Sequence, residues 1–178
     1  MKKLFFLTLI TGLLFTAFNV SAQQKRAPED KSKRPSPPDT VQTTLSNGTH
    51  VVIAYSQPSV KGRTIGGNEI ATYGKVWRTG ANEETTIEFS KDVKLEGKAL
   101  PAGKYSLWSV PGPKEWVIII NKKTTEWGTV YSDAFDVFRV TVPTQKASSF
   151  TEKLKFTIDK SGKISFMWGD VMVAFNVK

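Results

Sequence analysis

The chain has 178 residues, no cysteine, a single histidine and a formal charge of +9. Without thiols it has no disulfide framework, no thiolate metal site and no cysteine nucleophile. Its five Trp, eleven Phe and four Tyr supply apolar area for one domain held by burial alone.

In chain order the first element is a targeting segment. Lys2 and Lys3 precede an apolar run over residues 4–18, and Val20-Ser21-Ala22 offers small residues for signal-peptidase cleavage before Gln23. The run is too short for a permanent span, which needs about 20 residues. No cysteine follows it to carry a lipid. The expectation is an exported protein with no transmembrane segment after cleavage, in the periplasm in preference to the cell exterior. There, basic charge does not point to nucleic acid. It serves solubility, or meets a glycan or an anionic envelope component. Oligomeric state is not written in the sequence.

Residues 23–40 carry Pro28, Pro35, Pro37 and Pro38 among Lys25, Arg26, Lys31, Lys33 and Arg34, with no apolar periodicity. They are expected to be a disordered, semi-rigid spacer. From residue 41 to 178 the period is two. Asn47-Gly48 predicts a hairpin between residues 41–45 and 49–55. Residues 85–89, 105–110, 116–121 and 138–142 read as further strands, with a turn at Glu96-Gly97. Residues 154–158, 164–168 and 171–177 complete a meander with turns at Ser161-Gly162 and Gly169-Asp170, the latter expected as type II′. Many short alternating strands predict an all-β domain, an antiparallel β-sandwich or jelly-roll-like arrangement. Two polar stretches, 57–82 and 122–136, break the rhythm and are the long loops on which binding groups tend to sit.

The densest cluster of versatile groups lies in the first of these loops. Trp77 offers an aromatic face, Arg78 a planar fork of donors, Asn82 both a donor and an acceptor, and Glu83 an acceptor. Trp127, beside Gly128 in the second loop, is the Trp best placed for exposure, whereas Trp108, Trp116 and Trp168 read as core. The string Trp-Arg-Thr-Gly-Ala-Asn-Glu over residues 77–83 resembles the signature of a family of secreted proteins common in Bacteroidetes, catalogued as domain of unknown function 2911. Tyr55-Ser56-Gln57-Pro58, Lys61-Gly62-Arg63, the run Leu100-Pro101-Ala102-Gly103-Lys104-Tyr105-Ser106-Leu107, Trp116 and Asn121 extend the resemblance over residues 45–178. It implies an exported, β-sandwich-like domain and brings no activity with it.

Two accounts of the cluster follow. In the first, Trp77, Arg78, Asn82, Glu83 and Trp127 bind a polar or carbohydrate ligand, the indoles stacking on a sugar ring and the polar groups taking its hydroxyls or a carboxylate. In the second, Arg78 pairs with Glu83 to fasten the loop, Asn82 caps a turn and Trp77 is core. No catalytic residue, metal or cofactor is assigned. His50 is out of phase with Val51, Ile53 and Tyr55 and so faces away from them. The chain has no Gly-x-Ser-x-Gly elbow, His-Glu-x-x-His pair, Walker loop or dinucleotide fingerprint. Other readings are a carboxylate-dependent glycan hydrolase, in which Glu83 converges with Asp133 or Asp136, and a structural or assembly protein of the envelope.

Overall fold

A computed structural model describes residues 29–124 and 127–178. The expected signal peptide and the first part of the expected spacer, residues 23–28, lie outside the described residues. The described residues form nine strands: β1 (Pro38–Thr44), β2 (His50–Ser56), β3 (Thr86–Phe89), β4 (Val93–Leu95), β5 (Lys98–Leu100), β6 (Gly103–Val110), β7 (Glu115–Asn121), β8 (Asp136–Ile158) and β9 (Lys163–Asn176). Seven form one antiparallel sheet in the order β1-β2-β3-β6-β7-β8-β9, and β4-β5 is a separate hairpin. The fold is all-β and antiparallel, as the alternation predicts.

The alternation also sets the register. Val51 and Ile53 stand opposite Phe89 and Ile87, and Phe156 and Ile158 opposite Phe166 and Ile164. All eight are apolar, and all but partly buried Ile158 lie in one continuous buried core. A one-residue slip would turn each strand's apolar set outward, which fixes the pairing. Sandwich-like packing comes from the curl of the single sheet. β8 pairs with β7 over its first part and with β9 over the rest. Its outer part then reaches the exit of β2, where Val60 N–H donates to Glu152 O at 2.9 Å and Leu154 N–H to Pro58 O at 3.0 Å. The Tyr55 hydroxyl accepts from Phe156 N–H at 3.2 Å and donates to Asp39 at 2.7 Å.

Two expectations are corrected. Gly169-Asp170 is no turn: β9 runs through it as one strand of 14 residues. Gly169 instead has φ +57°, and the β8–β9 register shifts at its partner Thr151. A glycine in left-handed conformation inside a ladder is a bulge that bends both strands, and here it bends them over the core. The second correction concerns the spacer. From Glu29 onward it lies on the domain. A short 3₁₀ turn spans Lys31–Lys33, and β1 begins at Pro38, as an edge strand where proline is tolerated. The spacer's contacts with the loop over residues 77–83 are ion pairs and hydrogen bonds, with Arg34 and Lys31 on Glu83 and Ser36 on Asn82. No helix of the described residues is long and apolar enough to cross a membrane.

Candidate functional site

Residues 77–83 form a loop pinned against β6. Trp77 and Ser109 exchange backbone hydrogen bonds at 2.7 and 2.9 Å. Thr79 donates its hydroxyl to Ser109 Oγ at 2.9 Å, and Thr85 donates to Thr79 O at 2.9 Å. These bonds hold Thr79 at φ +51°, an uncommon conformation for a β-branched residue, and Asn82 follows at φ +58°, which asparagine tolerates better. The reversal turns Trp77 inward, the Arg78 side chain toward Gly128 of the second loop, and the side chains of Asn82 and Glu83 toward the N-terminal segment.

Trp77 lies against the core. Its ring is stacked on Trp168, with centroids 5.3 Å apart and planes 7° apart, and meets Trp116 edge-on at 5.9 Å. One face is therefore covered by Trp168, and the ring is partly buried against the core. Trp108, Trp116 and Trp168 are buried. Trp127 is 49% exposed and bridges antiparallel to Glu83.

The expected Arg78–Glu83 pair does not form. Arg78 donates through Nη1 to Asn82 O at 2.9 Å, and Gly128 N–H donates to the same oxygen at 3.1 Å. Gly128 lies on the Arg78 stem so closely that a Cβ there would collide with Arg78 Cδ and stand 2.6 Å from Asn82 O. Only glycine lets the two loops close in this way. Arg78 has no carboxylate partner among the described residues, and partial burial lowers its pKa.

Glu83 is taken by the N-terminal segment instead. Lys31 reaches it at 2.8 Å, and Arg34 Nη1 lies 2.9 Å from both carboxylate oxygens. Hydrogen bonding from Lys31, and then from Arg34, pulls the Glu83 pKa down to about 2. Arg34 is further fixed by Glu29 at 2.6 Å, and its side chain is only 14% exposed. Asn82 Nδ2 donates to Ser36 O at 2.8 Å. Lys31, Arg34 and Ser36 were hidden from sequence reasoning by their setting among prolines and charges, a composition that reads as spacer. No local pattern marks a contact across 49 positions.

A cleft of about 180 Å³ lies between this segment and β2–β3, lined by Lys31, Asp39, Tyr55, Glu83, Glu84 and Thr86. It is smaller than a usual ligand pocket of about 300–1,000 Å³. Asp136, the other candidate acid, sits in a separate network at the base of the second loop. It accepts from Tyr131 Oη at 2.7 Å, Arg139 Nε at 2.8 Å and Asn121 Nδ2 at 2.9 Å. Burial first, then Asp136, pushes the Tyr131 hydroxyl up to about 12. The network is a clamp holding the loop that presents Trp127. Asp133 belongs to the short turn Asp133–Phe135. Among the described residues no group of three or more His, Asp or Glu could hold a metal ion.

No curated protein and no solved structure matches the chain. Residues 36–177 match the family described as protein of unknown function (DUF2911), with the pinned loop, Gly128 and both candidate loops inside the matched span, and the chain belongs to that family.

Proposed function

We propose that the protein is an exported, non-catalytic module that binds a polar or carbohydrate ligand on the surface made by the two loops. Trp127 supplies the stacking face, and Arg78, backed by Asn82, supplies the hydrogen-bonding group. Trp77 and Glu83 support the site from behind. The observation that carries this reading is the half-exposed Trp127 next to Gly128, which packs on the partly buried Arg78, a guanidinium with no carboxylate partner among the described residues. An exposed indole and a guanidinium with donors to spare together suit an aromatic-plus-fork recognition surface.

Saturating glycan titrated into the protein beginning at Gln23 is expected to shift Trp fluorescence, and Trp127→Phe to remove the shift. An unchanged spectrum across neutral and acidic glycans sinks the reading. Export is tested separately by the mass of the N-terminal peptide after expression, which should begin at Gln23.

One observation favours a second reading, a carboxylate-dependent glycan hydrolase: Asp39, Glu83 and Glu84 line one cleft. Glu83, held ionised down to about pH 2, suits a nucleophile or base and not an acid. That reading requires glycan turnover that Glu83→Gln abolishes.

A further inference from the structure

We infer that the ligand is an anionic saccharide bearing a carboxylate, such as a uronic acid residue, and that Arg34 and Lys31 preserve this preference by keeping Glu83 away from Arg78. The inference rests on the proposed binding site and names its ligand class.

Arg78 carries five N–H groups in a planar fork. One is engaged by Asn82 O; the others meet no acceptor among the described residues. A guanidinium drawn partly out of water gains most from a partner with negative charge and matching planar geometry, which a carboxylate supplies through two parallel bonds. The stem is clamped by Gly128 and the Nη1 bond fixes the plane, so little side-chain freedom is left to lose on binding. Trp127 belongs to the same closed pair of loops, bridged to Glu83 and adjacent to Gly128. The indole and the residue that packs on Arg78 are thus neighbours in the chain, and the ligand is inferred to stack its saccharide ring on the one and direct its acid group to the fork.

The obvious competitor is Glu83, five positions along the loop from Arg78. It is occupied twice, by Arg34 Nη1 and by Lys31. Arg34 is in turn braced by Glu29. The segment thus cancels the acid nearest in the loop and leaves the guanidinium to the ligand. In this site Arg34 and Lys31 are positioning residues that act through Glu83.

The test uses the protein beginning at Gln23 and compares an oligogalacturonate with the neutral galacto-oligosaccharide of the same length, by Trp fluorescence and calorimetry at low and at physiological salt. The acidic ligand is expected to bind about tenfold or more tighter, with the advantage shrinking as salt rises. Arg78→Lys and Arg78→Gln should each remove the acidic advantage, weakening acidic binding about tenfold more than neutral binding. Arg34→Gln, which touches neither ligand, should weaken acidic binding alone, and pairing it with Glu83→Gln should restore it. Equal binding of the two ligands overturns the inference while leaving the binding-module reading intact. Binding of neither overturns both.

Discussion

At the scale of single residues, the informative feature is where charges and donors are left. Glu83 shows how a surface carboxylate becomes a fixed charge. Its pKa is depressed from 4.5 to about 2, so its stabilising contribution is present above 4.5 and lost as pH falls toward 2. Because the side chain is 37% exposed, screening keeps this contribution near the surface-pair range, about 1 kcal/mol or less. Glu83→Gln is therefore expected to lower the urea midpoint slightly at pH 7, with the gap to wild type closing by pH 2. A gap that persists at pH 2 would assign the effect to packing. The buried indoles make a different point. The N–H groups of Trp116 and Trp168 are buried and meet no acceptor among the described residues. Such a donor costs about 1–3 kcal/mol. Trp116→Phe loses contact area but removes the orphaned donor, so it should cost about 1 kcal/mol or less, against about 3–5 for Trp116→Ala. Chemical denaturation of the two variants checks the difference.

At the scale of elements, the bend in β9 matters most. Period-two alternation continues on both sides of Gly169, and Gly-Asp is a good hairpin dipeptide, so the sequence reads as two strands and a turn. The long partner strand decides otherwise, because β8 continues past the bulge and pairs with β9 on both sides. Left-handed backbone costs a non-glycine residue about 1–2 kcal/mol. At this site a Cβ would also stand 2.9 Å from Ile65 Cδ1. Gly169→Ala should thus destabilise by at least that backbone cost in urea melts. A neutral substitution would mean that the bend does not depend on glycine. The turns at Asn47-Gly48 and Glu96-Gly97 were legible because both are local: Gly48 N–H donates to Leu45 O at 2.8 Å, and β4 pairs with β5 across two residues.

At the scale of the whole molecule, one core runs through the curled sheet. Val51, Ile87, Trp116, Phe156 and Phe175, from strands spread over the chain, belong to one buried cluster. The small β4-β5 hairpin is tied to it by the Leu95–Val177 bridge. A single core predicts a single cooperative transition, with Trp fluorescence and far-UV circular dichroism tracing the same urea curve. Separated curves would show two independently stable parts. The same continuity explains how residues as far apart in the chain as Arg78 and Gly128 can meet, since each loop is anchored to strands that share the core.

By itself the sequence determined the all-β class, most strand positions, the burial of Trp108, Trp116 and Trp168, and the two loops that carry the candidate site. Those features depend on alternation and turn chemistry, which act between neighbours along the chain and are visible there. Tertiary structure alone decided that Trp77 stacks inward on Trp168, that Glu83 pairs with Arg34 and Lys31 instead of Arg78, and that residues 29–37 lie on the domain. Each of these is a choice among partners that are equally suitable chemically. Arg78 and Arg34 carry the same guanidinium, and only the backbone reversal at Thr79 and the path into β1 determine which one reaches Glu83.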